Sequence, residues 1–404
     1  MKKTPIAALV SAEIVSILGS RMTYLALPWF VLVTTGSVTK MTYVLAAEIL
    51  PMAVLGIPSG MVVEWLGARR TMLVCDAARI PLLASLPLLH GADMLSFPLL
   101  LALVFLLGCF MTPYFAAQRV ILPELVGEDE RTITQANSLI EGGTAIAGLA
   151  GPALAGVLIP FMSAPNVLYV DAGTYVVSFL LLWGLVPKTK KVVGAVASGG
   201  VLAGIGFFVR DRLLAPLGAT LIALNFVGSS IGATIPFYAF DSFDSSRIAG
   251  LFYTAGGAGA LVGSILAMMA VKRMAPLRMA GIGIVAATLP LWVLPLDLPA
   301  WGVMAALFSM MLFIPFVNGP LIGVITTRTP VELRPKVMTA LISVSTLSAP
   351  LGYLAAGQLL GTWEPTRVFA AAAVGLTATA LVFATIALRH REEPVPEAAT
   401  VPAA

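Results

Sequence analysis

Seven ionisable side chains sit where the surrounding sequence is almost wholly apolar: Glu13, Arg21, Glu48, Asp76, Arg79, Glu141 and Asp171. Charges in such surroundings are costly, face the interior of a helix bundle, and mark paths for protons, ions or a charged ligand. Spacing sorts them. Asp76 and Arg79 stand three apart, neighbours on one helical face, and we expect them near the cytoplasmic end of their segment, serving a gate. Arg21 and Glu48 fall at similar depths in adjacent segments and are expected to neutralise one another. Glu13 and Glu141 then have no cation in view. A carboxyl group shut away from water and cations keeps its proton to higher pH, which a proton carrier requires. Glu141 is therefore the first choice for a proton site and Glu13 the second, each weighed against a hydrogen-bonded structural acid. Glu48 and Asp171 follow, Asp171 last because it falls near the external end of its segment.

Other chemistry lacks its residues. Cys75 and Cys109 both fall in apolar segments, and His90 and His390 are the only histidines, so no metal site, disulfide framework or catalytic His is expected. No G-x-x-x-x-G-K-[ST] loop occurs to bind a nucleotide, and no D-D-x-x-D run to support an intramembrane transferase. The chain is read as neither an enzyme nor a cofactor protein.

The elements that must hold these charges are membrane spans. Hydrophobic residues make up 59% of the chain and charged ones 11%, against roughly 25% charged in soluble domains. About 20 apolar residues cross about 30 Å of hydrocarbon. Twelve spans are expected, at 6–34, 41–64, 71–91, 95–118, 134–161, 165–187, 214–240, 247–271, 277–296, 299–324, 337–361 and 366–388. The run after Lys2 and Lys3 is too long for a signal peptide and is read as the first span, retained.

Basic residues fix the orientation. Of 24 Lys and Arg, nineteen fall at the N-terminus, the tail or the even-numbered connections: Lys2, Lys3, Arg69, Arg70, Arg119, Arg131, Lys188, Lys190, Lys191, Arg210, Arg212, Lys272, Arg273, Arg278, Arg328, Arg334, Lys336, Arg389 and Arg391. The other face keeps Lys40, Arg247 and Arg367. The bias puts both termini in the cytoplasm of a multi-pass protein of the cell membrane. The net charge of +4 is explained by loops beside lipid headgroups rather than by nucleic acid.

A polar interruption from Pro187 to Gly200 divides the spans six and six. We expect an N-terminal six-helix bundle over 1–187, a cytoplasmic linker over 188–212, a second bundle over 213–390 and a disordered tail over 391–404. The halves echo each other weakly. Arg119 and Pro123-Glu124-Leu125 precede span five, and Arg328, Pro330 and Glu332-Leu333-Arg334 precede span eleven. Gly151-Pro152 and Gly156 recur as Pro350, Gly352 and Gly357. Parallel repeats place a substrate cavity at their interface and suit alternating access.

Between spans two and three the chain reads Gly60-Met61-Val62-Val63-Glu64-Trp65-Leu66-Gly67-Ala68-Arg69-Arg70. This resembles the G-x-x-x-D-R-x-G-R-R signature of the major facilitator superfamily: Gly60, Gly67 and Arg69 agree, Glu64 stands for Asp, and Trp65 and Ala68 replace basic residues. The layout from about residue 5 to 390 is similar throughout, implying an all-α membrane protein of two pseudo-symmetric six-helix bundles. A narrower likeness, to the drug and macrolide exporters among which siderophore exporters also fall, rests on Leu122-Pro123-Glu124-Leu125, Gly148-Leu149-Ala150-Gly151-Pro152 and Arg210-Asp211-Arg212-Leu213-Leu214. Gly151, Pro152 and Gly156 match the antiporter pattern of span five, while Ala147 and Ala155 replace two of its glycines. With Gly148, the small residues there permit close helix approach, and Pro152 a bend.

A carboxylate at Glu64 could latch the cytoplasmic side by reaching the N-terminal end of span eleven near Val337, with Arg119 as a second partner, while Arg69 and Arg70 serve the gate or orientation alone. Substrate-lining residues are expected among Arg21, Asn225, Tyr238, Tyr253, Trp292, Asn318 and Gln358, although aromatics in spans more often pack or face lipid. The reading is a monomeric, proton-coupled antiporter in membrane lipid that exports small amphipathic molecules. Its rivals are a dedicated exporter of a siderophore or other metabolite, an uptake symporter, a sensor and, most distantly, an intramembrane enzyme.

Overall fold

The computed structural model describes residues 3–126, 130–188, 201–330 and 333–389. Lys2, Arg391 and the tail, Glu332, and the linker's Lys190, Lys191 and Ser198–Gly200 stretch lie outside the described residues.

In a bilayer every backbone polar group must be satisfied internally, which leaves helices as the economical solution for apolar runs of this length. The first half holds α1 (Lys3–Thr35), α2 (Val38–Leu66), α3 (Ala68–Gly91), α4 (Phe97–Val126), α5 (Glu130–Met162) and α6 (Ala164–Leu185). A short α7 (Val201–Arg210) precedes the second half: α8 (Leu214–Phe243), α9 (Ser246–Ala270), α10 (Pro276–Thr288), α11 (Ala300–Phe313), α12 (Pro315–Arg328), α13 (Arg334–Leu360) and α14 (Pro365–Arg389). Eleven spans among the described residues are long and apolar enough to cross a membrane. Helix α13, 27 residues long and richer in Ser and Thr, completes the twelve.

Two expected spans are interrupted. The ninth is α10 continued by a 3-10 turn over Leu289–Leu296, a stretch that contains Pro290 and Pro295. The tenth breaks between α11 and α12 because Pro315 has no N–H to donate, and the Ile314 amide turns instead to the Met311 carbonyl at 3.3 Å. Helix α7 also lies inside the segment expected to be a linker. Its Phe208 ring covers Gly218 of α8, leaving no room for a side chain there, so apolar packing rather than span length orders it.

The face carrying the start of α1 and the end of α14 is called the terminal face. Gly67, at φ +84°, makes the one-residue turn between α2 and α3 at this face, a conformation open mainly to glycine.

Within each half, helices meet where glycine removes the Cβ. Gly259 and Gly263 of α9 press against the backbone carbonyls of Phe308 and Leu312 on α11. Between the halves, two contacts dominate, α2 with α13 and α5 with α9. The internal repeat equates the second span with the eighth and the fifth with the eleventh, so the pseudo-twofold axis exchanges these two contacts.

Gly263→Leu should therefore force α9 from α11 at an overpacking cost of about 1–3 kcal/mol, while Gly173→Ala, at a position with open space, should be neutral. Thermal unfolding of the purified protein in detergent should show a lowered midpoint for the first variant alone.

Candidate functional site

Between the halves lies a cavity of about 760 Å³. Helix α1 contributes Arg21 and Tyr24, α5 Glu141, Gly148 and Pro152, and α8 Asn225 and Ser229. Helix α9 gives Tyr253 and Ser264, α11 and α12 give Met310, Met311 and Asn318, and α13 gives Tyr353. Most of the wall is apolar, and Arg21 and Glu141 are its only charged side chains among the described residues.

Away from the terminal face the cavity ends in three tyrosines drawn from both halves. The Tyr24 and Tyr253 rings meet edge to face, 5.5 Å between centroids, and the Tyr24 and Tyr353 hydroxyls lie 3.5 Å apart. Beyond them the halves touch closely. Ser246 Oγ donates to the Gly156 carbonyl at 3.2 Å, Thr39 Oγ1 to the Gly357 carbonyl at 3.1 Å, and Gln358 Nε2 to Tyr43 Oη at 3.2 Å. Trp29 sets its ring edge against Phe240. These contacts close the cavity at the end away from the terminal face.

A second polar assembly is buried inside the first half. Arg79 Nη2 pairs with Asp76 Oδ1 at 2.5 Å, and the guanidinium lies between the rings of Tyr114 and Tyr175, 4.4 and 4.2 Å from their centroids. Ser178 Oγ donates to the other Asp76 oxygen at 2.7 Å. Asp171 accepts from Thr23 Oγ1 at 2.5 Å, and Thr174 Oγ1, which donates to the Asp171 backbone carbonyl at 2.7 Å, lies 3.0 Å from the other carboxyl oxygen. Gln118 Nε2 donates to Glu13 Oε2 at 3.0 Å, while Glu13 Oε1, Glu48 Oε2 and Tyr114 Oη are buried without a partner.

The family model described as Major Facilitator Superfamily matches residues 9–352. The chain belongs to the major facilitator superfamily. Its curated relatives include a "Multidrug efflux pump Tap" of Mycolicibacterium fortuitum, 28% identical over 89% of this chain and 90% of the relative. A protein of the same name from Mycobacterium bovis is 27% identical over 94% of this chain and 92% of its own. Two solved structures share the fold. The nucleoside transporter NupG has a TM-score of 0.78 at 14% identity, covering 97% of this chain and all 100% of its own. A bacterial homologue of the iron transporter ferroportin, in an inward-facing state, has a TM-score of 0.74 at 13% identity, covering 96% and 98%. The chain is thus a multi-pass membrane transporter for small molecules and not an enzyme.

Within this superfamily fold the expected site residues separate into groups. Arg21, Glu141, Asn225, Tyr253, Asn318, Gly148 and Pro152 all reach the cavity. Tyr238 is buried among Phe243, Phe252 and Phe369. Trp292 is half-exposed on the outer surface, donating to Thr377 Oγ1, and Gln358 sits in the closed end. Asp76 and Arg79 do not lie at a gate: α3 turns them inward toward α4 and α6, two to three turns from its terminal-face end. Arg21 forms no ion pair with Glu48, because its stem lies along Gly151 of α5 and leads the guanidinium into the cavity.

The signature between α2 and α3 also serves the first half. Arg69 donates to the last carbonyls of α6, to Val186 at 2.7 Å and Trp183 at 2.8 Å, and so caps that helix where its dipole favours a cation. Glu64, Arg70 and Arg119 are exposed, and Glu64 has no ion pair among the described residues. Gly60 lies a turn before Glu64 on α2. In α5, Gly151 admits Arg21 and Leu18 of α1 on one side, while Pro152 and Gly156 touch Gly250 and Ser246 of α9 on the other.

Sequence reading missed Tyr24, Tyr353 and the hydroxyls around Asp171. One signal was available for Tyr24, three residues after Arg21 and hence on its face of the helix.

Removing one partner of a buried ion pair costs about 3–5 kcal/mol by stranding the other charge. Asp76→Ala should abolish or sharply lower the yield of folded protein, and Asp76→Ala with Arg79→Met should recover it. Size-exclusion profiles and thermal midpoints of the single and double variants decide this.

Proposed function

We propose that this transporter exports amphipathic drug-like compounds by proton-coupled antiport, alternating access to one central cavity, with its terminal face and both termini in the cytoplasm. The observation that carries this reading is the cavity itself. It lies between two pseudo-symmetric halves, is closed at one end by contacts drawn from both of them, and offers an apolar wall with a single acid and a single base among the described residues. A ligand with an apolar body and one charge fits such a wall: adaptable Met310 and Met311 suit varied shapes, and Glu141 offers a counter-charge to a cation. The bias of basic residues toward the terminal face supports the orientation. The name shared by the mycobacterial relatives supports drug efflux.

The proton would travel on the acids of the first half, Glu13, Glu48, Asp171 and the cavity's Glu141. Protonation of one of them lets the empty carrier return without an uncompensated charge in the membrane. Glu64, Gly67, Arg69 and Arg70 then belong to the hinge region between α2 and α3, where Arg69 ties α3 to α6 so that the first half moves as one body.

Inverted membrane vesicles with an imposed proton gradient, acid inside, test the reading. Ethidium or a macrolide should provoke proton efflux in vesicles containing the protein and not in vesicles lacking it. Glu141→Gln should weaken the response to cationic ethidium roughly tenfold, the factor for about 1.4 kcal/mol, and leave an uncharged substrate less affected. Uptake in place of efflux, or silence across cationic and neutral compounds, would reject export of this class.

A further inference from the structure

The two charges of the cavity wall stand at different depths. The stem of Arg21 lies against Gly151 of α5, in the space a Cβ there would fill, so these two residues share a level. Glu141 stands ten residues before Gly151 on the same helix, about 15 Å nearer the terminal face at 1.5 Å per residue. Arg21 is one turn of α1 from Tyr24, at the tyrosine end of the cavity. The base is therefore deep and the acid shallow, and among the described residues neither has an ion-pair partner.

Between the charges α5 turns Thr144, Ala145 and Gly148 to the cavity, the same helical face as Glu141. A Cβ at Gly148 would meet no atom within 4 Å, so this face is an open slot. Donors on the opposite wall are partly spent, since Asn225 Nδ2 and Ser229 Oγ donate to carbonyls of their own helix at 3.1 and 2.7 Å. Among the described residues no hydrogen bond holds the Arg21 guanidinium, which leaves its fork of N–H groups for a ligand.

The order of the charges decides what can lie along the slot. A lone cation drawn to Glu141 is repelled by Arg21 as it goes deeper, and a lone anion meets Glu141 first. A ligand with a base at one end and an acid at the other is favoured at both levels, and a guanidinium holds a carboxylate through two parallel hydrogen bonds. We propose that the cavity is built for amphoteric ligands, elongated apolar bodies that lie along α5 with a carboxylate on Arg21 and an amine on Glu141. Allowing for the reach of the two side chains, the ligand's charges stand on the order of 10 Å apart. Arg21 is then the residue that selects for the acid, while a plain cation such as ethidium uses the Glu141 level alone. This inference rests on the efflux reading above and narrows the substrate class of the same cavity.

Norfloxacin and its methyl ester are the probes. Both carry a protonated amine at one end of a planar body, and norfloxacin alone has a free carboxylate at the other. The full chain is purified in detergent, and binding is read from the fluorescence of the ligands. Native protein should hold norfloxacin at least about tenfold more tightly than the ester, the worth of one charge-assisted contact. Arg21→Gln should abolish that preference by weakening norfloxacin and sparing the ester, and Arg21→Lys should restore part of it. Glu141→Gln should weaken both ligands and keep their ratio. Gly148→Val, which fills the slot without meeting the protein, should weaken both while leaving the thermal midpoint unchanged.

Equal affinities in the native protein, tighter binding of the ester, or no binding of norfloxacin overturns the inference without reference to any variant's folding. A preference that survives Arg21→Gln overturns it too. Proton efflux in response to ethidium, beside any of these results, leaves cation antiport standing. A preference that is lost with Arg21, in a protein for which ethidium, norfloxacin and the ester all fail to move protons in inverted vesicles, would reject the antiport reading and keep the amphoteric site.

Discussion

A guanidinium in the middle of a bilayer must bring its own solvent, and much of the first half is arranged around that requirement at Arg79. Water is replaced by Asp76, by two tyrosine faces and, through Asp76, by Ser178. These partners come from α3, α4 and α6, so one charge fixes the mutual rotation of three helices. Cation–π contacts of this kind gain strength when desolvated, and the pair cannot separate without stranding both charges. Arg69 adds a second tie between α3 and α6 at the terminal face. The first half is therefore suited to move as a rigid body, its internal contacts being polar and expensive to break.

The contacts between the halves are of another kind. They consist of glycine-lined backbone approach, single hydroxyl-to-carbonyl bonds and aromatic edges. Without a hydrophobic driving force between helices in lipid, such contacts are held by packing and modest hydrogen bonds. Each of them is weaker than the buried ion pair of Asp76 and Arg79. The difference between a charged interior and a neutral interface follows from where the charges and the glycines fall.

Much of this was legible in the sequence. The apolar runs gave the membrane helices, because hydrophobic length is read directly from the sequence. The glycines of span five announced close packing, and the i, i+3 spacing of Asp76 and Arg79 announced their pairing. Depth and rotation were not legible. Asp76 and Arg79 face α4 and α6 rather than a gate, and Arg21 points past Gly151 into the cavity rather than toward Glu48, because rotation about a helix axis is set by neighbours distant in sequence. Helix α7 escaped notice for a related reason: ten residues are too few to mark a span, and only Gly218, across the turn, gives Phe208 its seat.

The two halves share a fold and divide the chemistry. Every ionisable side chain deep in a span belongs to the first half, while the second supplies Asn225, Asn318, Ser229, Tyr253 and two methionines to the cavity. A wall without fixed charge imposes no desolvation penalty on an apolar ligand and still offers neutral hydrogen-bonding groups to a polar one, so it tolerates variety. A wall with fixed charges discriminates, and its protonation state can change. The halves meet chiefly where α2 packs on α13 and α5 on α9, and Tyr24 of α1 joins them there, one residue from the Thr23 that holds Asp171 and in contact with both second-half tyrosines.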